Sequence, residues 1–385
     1  MFRYMCLQIQ LIMLTFTMLG SVKAQALIPV FDWRQIASEI YAGVYPALAW
    51  SPDSHYIAIG DTNKSNLLIF DVQGESREAQ IDIAIQDQYL RIPVIEWSHD
   101  GRYIAVLANS MVVIIDVANS DVLQTYTNSG LGNLTSLKWI DSSRKIALLD
   151  NLGFIYIYDV LESRMVMSIE IGPDMGAGET YVYNTFDWNE KRNWFAVPLL
   201  GSSSIAFWDG EGNLVSDLAQ PNPDRYNFLQ SNCNTSAAVD STGANIDLHN
   251  LRWSHDGNQL AITIESRLIL CSFSSDGTNV QWRELPSPPN PDYDPSLVNS
   301  SPYFGPDTIA WSSDDRWLFG FIGGSPPTAC GISVYDADQN YALVDVIRES
   351  ICGKGDLAWS PDGKLLAIRN DDSLWIGSIE DNENQ

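Results

Sequence analysis

The chain is 385 residues long and carries a formal net charge of -26, from 48 acidic against 22 basic residues. A surface of that sign repels a phosphate backbone, and no basic stripe offsets it, so nucleic acid is excluded as a partner and an anionic membrane surface is disfavoured. With 45% hydrophobic residues there is enough apolar material for a globular core, and the 13 Trp and 16 Tyr suit sheets better than helices.

The first segment reads MFRYMCLQIQLIMLTFTMLGSVKAQA. Arg3 leads, an apolar stretch from Leu11 to Leu19 follows, and small residues close it. This predicts a secretory signal peptide over residues 1–24, cleaved after Ala24 or Ala26. Gln8 and Gln10 interrupt the apolar run, which disfavours a spanning helix, and no cysteine stands at the cleavage point to take a lipid. The expectation is a secreted, periplasmic or extracellular protein with no membrane insertion after cleavage; an uncleaved anchor is the alternative. Cys6 leaves with the signal, and Cys233, Cys271, Cys330 and Cys352 remain, which allow three pairings. Cys330 and Cys352 flank one hairpin and are the favoured pair, which leaves Cys233 for Cys271. The alternative for Cys271, inside LILCSF, is a small buried hydrophobe.

From about residue 45 one pattern recurs. A short apolar run ends in tryptophan, usually followed by an acidic turn: ALAWSPDS at Trp50, VIEWSHDG at Trp97, SLKWIDSS at Trp139, TFDWNEKR at Trp188, NLRWSHDG at Trp253, TIAWSSDD at Trp311 and DLAWSPDG at Trp359. The second copy divides into VIEW, RYIAVLA, MVVIIDV and DVLQTY, four short β-rich runs separated by turn residues. Four antiparallel strands per unit, repeated seven times, predict an all-β, seven-bladed propeller over residues 25–380, with 381–385 a polar tail. The last copy lacks a good fourth strand. The stretch FDWRQIASEIYAG is expected to supply it near Gln35–Ile40, closing the ring and removing a free sheet edge. The repeated tryptophans are read as wedges between blades and the Ser-x-Asp-Gly segments as tight turns.

These units resemble WD-repeat propellers and the TolB-type propeller repeats of bacterial secreted proteins. WSPDG at Trp359–Gly363 is a shared signature, and the WD dipeptide stands intact at Trp208-Asp209, approximated by Phe70-Asp71, Ile115-Asp116, Tyr158-Asp159 and Tyr335-Asp336. The Gly-His dipeptide of WD repeats is absent from every copy, which favours a divergent, prokaryote-style propeller. The resemblance implies a rigid ring whose loops do the recognising.

Chemistry-bearing motifs are sparse. His55, His99 and His255 fall in or beside the turns after repeated tryptophans, on separate blades, and His249 stands apart, so no metal cluster or Ser-His-Asp set is expected. There is no nucleophile elbow, P-loop or dinucleotide fingerprint, and no cofactor or metal is predicted. Glu96 and Asp187, each just before a repeated tryptophan, are expected to line the channel. Asp336-x-Asp338-x-Asn340 and Asp292-x-Asp294 lack the glycine and terminal glutamate of a calcium loop. Asn63, Asn133 and Asn234 head glycosylation sequons that count only in a eukaryotic source.

The tryptophan spacings are 47, 42, 49, 65, 58 and 48, against about 40–45 for a compact blade. The excess falls into insertions at 171–184, 220–250, 286–307 and 323–330. Three join a fourth strand to the next first strand and one joins a second strand to a third, connections that emerge on one face of a propeller. Tyr181, Tyr183, Tyr226, Phe228, Tyr293, Tyr303 and Phe304 lie in them, among Pro, Asp and Asn. Rigid aromatics on Pro-stiffened loops suit recognition. Pinning the loops onto the ring is the competing role. The sequence thus predicts a non-catalytic exported scaffold that binds a protein or envelope component through this face. The alternative is an enzyme or carbohydrate-like ligand binder using the central channel.

Overall fold

The computed structural model describes residues 29–41, 47–83, 91–127, 132–141, 144–171, 185–199, 204–215, 248–264, 267–277, 279–289, 306, 308–322, 330–348, 351, 355–370 and 372–379. Strand β1 (Phe31–Ala37) precedes the repeats. Blade one is β2 (Leu48–Trp50), β3 (Tyr56–Asp61), β4 (Asn66–Asp71) and β5 (Ser76–Asp82); blade two is β6 (Val94–Trp97), β7 (Tyr103–Ala108), β8 (Met111–Asp116) and β9 (Asp121–Thr127). Blade three is β10 (Leu134–Ile140), β11 (Lys145–Asp150), β12 (Phe154–Asp159) and β13 (Arg164–Glu170). Blade four shows β14 (Asp187–Asn189), β15 (Trp194–Leu199) and β16 (Ser204–Asp209), with an isolated bridge from Trp208 to Leu214 at its fourth position. Blade five is β17 (Leu248–Trp253), β18 (Gln259–Ile264), β19 (Arg267–Phe273) and β20 (Val280–Leu285); blade six is β21 (Thr308–Trp311), β22 (Trp317–Ile322), β23 (Gly331–Asp336) and β24 (Ala342–Ile347). Blade seven is β25 (Asp356–Trp359), β26 (Leu365–Arg369) and β27 (Leu374–Ile379), completed by β1.

All pairings are antiparallel, and the first strands touch one another in sequence, β2 to β6, β10, β14, β17, β21, β25 and back to β2. That closed circuit places them around the axis and makes the protein a seven-bladed β-propeller. Second and third strands are buried on both faces, as in YIAVLA and GISVYD, because each is sandwiched between neighbouring blades. Fourth strands such as RMVMSIE are mostly exposed. The core is therefore a set of layers between blades; one unites Leu67, Ile95, Ile104 and Val113 across blades one and two, another Phe319, Val334, Leu357 and Leu366 across blades six and seven.

The ring closes through β1, which pairs with β27 from Phe31↔Ile379 to Ala37↔Leu374. The strand starts earlier than the expected Gln35–Ile40 because Phe31 and Trp33 both pack on the last blade. Gly377 permits this: a Cβ there would stand 2.9 Å from the Trp33 ring and 3.0 Å from Phe31. At the other side of the seam Arg369, 1% exposed, donates from Nη1 to Ala47 O at 3.1 Å and from Nη2 to Gly60 O, tying blade seven to blade one. Burial holds its guanidinium down at about 10, against the opposing pull of Asp61 and Asp356.

The tryptophan register is the same in all seven blades. Trp50 faces Ile57, Trp97 Ile104, Trp139 Ile146, Trp188 Phe195, Trp253 Leu260, Trp311 Leu318 and Trp359 Leu366 across the first pair of strands. Six are buried, while Trp188 is half-buried. Four indoles reach back one blade to the carbonyl of the residue before the preceding tryptophan: Trp50 to Ala358 (2.9 Å), Trp97 to Ala49, Trp139 to Glu96 and, from blade six to blade five, Trp311 to Arg252 (each 3.1 Å).

The turn after the tryptophan is equally regular in five blades. Ser51, Ser98, Ser254, Ser312 and Ser360 each donate to the Asp two residues on, at 2.6–2.7 Å, and accept the N–H five residues on. The fourth turn position is left-handed throughout: Ser54, Gly101, Gly257, Asp315 and Gly363 have φ of 57° to 76°. Where that residue has a side chain, it latches the preceding blade. Ser54 Oγ accepts Asp362 N at 2.9 Å, and Asp315 accepts His255 N (2.7 Å), Asp256 N (2.6 Å) and faces His255 Nδ1 (2.8 Å).

This latch should make blade packing pH-dependent. The hydrogen bond to Asp315 raises the His255 pKa above its ordinary value; burial and Lys191 oppose this, and the negative charges of Asp315 and Asp187 assist. A group with a raised folded pKa stabilises fully below its unfolded value, about 6.5 for imidazole, and loses that contribution as pH rises through the folded value. Melting temperatures of wild type and His255→Gln should therefore differ most near about pH 5.5 and converge toward about pH 8. A gap that grows with pH would refute the latch.

Candidate functional site

The aromatic residues expected to bind, Tyr181, Tyr183, Tyr226, Phe228, Tyr293, Tyr303 and Phe304, lie outside the described residues, as do Cys233, Cys352, Asp292 and Asp294. The described framework fixes where their segments are anchored. Ile171 and Thr185, Val215 and Leu248, Pro289 and Pro306, and Ile322 and Cys330 flank the four insertions. Each pair joins a fourth strand to a first or, in blade six, β22 to β23. These connections leave the ring on the face opposite the Ser-x-Asp turns, between blade three and blade six. Strand β17 begins at Leu248, so the second insertion ends earlier than 250. Cys271, fully buried in β19, and Cys330 are both disulfide-bonded, so Cys271 is not merely a small hydrophobe.

The second candidate region is the channel wall. The residue before each repeated tryptophan points across the first-strand circuit, and around the ring these residues read Ala49, Glu96, Lys138, Asp187, Arg252, Ala310 and Ala358. Their alignment is fixed by register: six face an alanine of the second strand and Ala310 faces Phe319. Glu96 and Asp187 do converge, but on a lysine. Lys138 Nζ lies 2.5 Å from Glu96 Oε1 and 3.3 Å from Asp187 Oδ1. The remaining oxygens cap inner-edge backbone donors of the next blade: Glu96 Oε2 accepts Trp139 N at 3.0 Å and Asp187 Oδ2 accepts Trp253 N at 2.7 Å. First strands are sheet edges, so these N–H groups have no strand partner and a carboxylate satisfies them. Burial lowers the Lys138 pKa, but Glu96 and then Asp187 more than reverse this, and its ammonium is held above the ordinary value. Two carboxylates engaged in this way serve as braces, not as a free acid and base.

Arg252 differs. Its Nη1 donates to Leu251 O at 3.0 Å, and among the described residues it forms no ion pair. Two blades on, Asp356 accepts Leu357 N at 2.9 Å and the Leu48 N–H of blade one; burial raises its carboxyl pKa while Arg252 and Lys138 pull it down. Sequence reasoning singled out Glu96 and Asp187 but missed Lys138, Arg252 and Asp356. Reading the residue before each tryptophan as a column would have found the first two.

The Asp at the end of the third strand closes the turn to the fourth. Asp71 accepts Gln73 N and Gly74 N, Asp116 Ala118 N, Asp159 Glu162 N, Asp209 Glu211 N, and Asp336 Asp338 N. Asp336 also accepts Gln339 Nε2, and Asn340 ends the short 3-10 turn Ala337–Gln339, which explains the calcium-like spacing. Among the described residues no three His, Cys, Asp or Glu side chains are placed to hold a metal, and no helix is long and apolar enough to cross a membrane.

Neither a protein-family model nor a curated protein matches the sequence. In structure the chain is similar to hydrazine synthase of Kuenenia stuttgartiensis, with a TM-score of 0.60 at 12% identity over 91% of this chain and 96% of that one. It is also similar to a chain of a mitotic checkpoint complex, with a TM-score of 0.59 at 18% identity over 94% and 98%. At such identities the likeness defines the fold, a β-propeller, and carries no activity with it.

Proposed function

We propose that this protein is an exported, non-catalytic β-propeller of divergent WD-repeat or TolB-like kind that binds a protein partner through the face bearing its insertions. The observation that carries this reading is the anchoring of all four insertions to one end of the strands, from blade three to blade six. A rigid ring that concentrates aromatic, proline-stiffened segments on one arc offers recognition at low entropic cost. One of the structural neighbours is part of a protein assembly, which accords with this use of the fold. The Cys330–Cys352 and Cys233–Cys271 pairings would staple two of the insertions to their blades. The acidic balance of the chain favours a partner with a basic contact surface.

The test is cross-linking of the exported protein to its partner, with Tyr226, Tyr293 and Tyr303 replaced together by Ala. Loss of aromatic anchors should weaken binding by about 2 kcal/mol or more, over tenfold. Cross-links mapping only to the Ser-x-Asp turns, or undiminished affinity in the triple variant, would remove the basis for this assignment.

A further inference from the structure

The outer rim of blades two and three is unlike the rest of the ring. Of the nine large apolar side chains exposed among the described residues, five stand there: Val122, Leu123, Leu161, Met165 and Val166. They belong to one zone. Gln124 Nε2 donates to Val160 O at 2.9 Å, so their chain neighbours Leu123 and Leu161 flank a contact between the two blades. Tyr126 and Tyr158, with ring centroids 5.1 Å apart, bridge the same gap, and Tyr158 faces Met165 across β12 and β13. A contiguous exposed apolar zone marks an interaction surface.

The strand edge at this zone is unguarded. Among the described strands β13 pairs with β12 only and ends its sheet. The outer strands of blades one, five, six and seven carry charge within their span: Arg77 and Glu78 in β5, Arg283 and Glu284 in β20, Asp345 in β24, and Asp32 and Arg34 in β1. Such charges protect a free edge from pairing. Strand β13 reads RMVMSIE, with its charges at the two ends only. Strands β5, β9, β13 and β24 share a bulge at the same place. The extra residue is Glu78 in β5 and Val344 in β24, which packs against the core. In β9 and β13 it is the exposed Leu123 and Val166.

The charge pattern of β13 says what fits against it. Laid antiparallel to a second copy about Met167, the strand sets Arg164 opposite Glu170 of the other copy, at both ends. Arg164 and Glu170 are exposed. Among the described residues Arg164 engages only Glu162, through Nε, so its terminal nitrogens are free, and Glu170 makes no ion pair. Exposed ion pairs add little affinity, but they fix register and reject a misaligned strand. The apolar side chains supply the contact area, and the bulge shortens the backbone ladder that can form beside them. The net charge of -26 opposes the approach of two copies, yet at physiological ionic strength the Debye length is only about 8 Å.

We propose that the protein forms a two-fold dimer through the outer edge of blade three, β13 against β13 of a second copy, antiparallel and centred on Met167. Met165 and Val166 lie at the middle of the contact, with Leu161, Val122 and Leu123 at its margin. The same patch serves on both copies, so the contact closes at two. It lies on the rim and does not rest on the protein-binding reading of the insertion face.

The test is sedimentation velocity of the whole protein at physiological ionic strength, from about 1 to 100 µM, the range suited to a contact of modest area. The sedimentation coefficient should rise with concentration from monomer toward dimer and no further. The double variant Met165→Glu, Val166→Glu should remain monomeric throughout, with an unchanged melting temperature because both side chains are exposed. Glu170→Arg sets like charges opposite one another twice and should weaken the dimer about tenfold, as should Arg164→Glu. The two exchanges combined should restore it to within about threefold of wild type, which association without a fixed register would not do. A monomer at every concentration, which would leave the zone to a different partner, would overturn the proposal. So would a dimer that survives the double glutamate variant, or one that the combined exchange fails to restore.

Discussion

Replacing Lys138 by Met should cost about 3 kcal/mol of unfolding free energy, the price of leaving paired charges in a confined site without their partner. The lysine is the cation between Glu96 and Asp187, and the three side chains are 20%, 19% and 9% exposed. Without it two carboxylates face each other while still held in place by Trp139 N and Trp253 N. The raised ammonium of Lys138 is fully stabilising below its unfolded value of about 10.4, and that contribution fades only as pH climbs through the folded one. Urea unfolding of wild type and Lys138→Met, at neutral pH and at rising alkaline pH, measures both the deficit and its fading. The triple variant Glu96→Gln, Lys138→Met, Asp187→Asn keeps the acceptors and removes the charges, and should recover to within about 1 kcal/mol of wild type. If the single variant were as stable as the triple at neutral pH, the brace would contribute nothing.

Phe31→Ala should destabilise the ring by about 3 kcal/mol, as expected for a buried aromatic whose removal leaves a cavity. Phe31 lies edge-on to Phe319 and Trp359, with ring centroids 6.0 and 5.8 Å away, and so joins blade six, blade seven and β1 in one cluster. Deleting residues 29–38 should be worse. It uncovers the whole hydrogen-bonding edge of β27 and turns a closed ring into one with a free strand, so aggregation should accompany the loss of stability. Chemical denaturation of Phe31→Ala, with light scattering of the deletion, tests both. A change below about 0.5 kcal/mol for Phe31→Ala would mean that the seam is held by backbone pairing and Arg369 alone.

The blades were legible because their signals are local. Tryptophan register, the two strands that follow it and the Ser-x-Asp turns each sit within a dozen residues, and all seven copies superimpose in register. The N-terminal strand was legible as a missing fourth strand, but its position shifted toward Phe31. The reason is a long-range fit over Gly377 that no local pattern encodes. The channel was half legible. Glu96 and Asp187 attracted notice as acids, yet what they do depends on Lys138 between them, and that relation exists only once the blades are arranged in a circle. The latch from Asp315 to His255 was invisible for the same reason, since it joins residues of adjacent blades through one carboxylate.

The seam between β1 and β27 has a consequence for how the molecule is made. Gln35 Nε2 donates to Ser373 Oγ, 338 residues away in sequence. Strand β1 is made hundreds of residues before β27 and must wait for it before it finds its place. Six blades can assemble as they emerge, but cooperative closure belongs to the final moments, and a protein of this topology should fold slowly at that step. The same proximity means that the two strands could be joined by a short linker and the chain reopened between any two blades. Such a permutant would place all four strands of blade seven in one continuous stretch, and its faster closure would show how much of the folding time the split blade consumes.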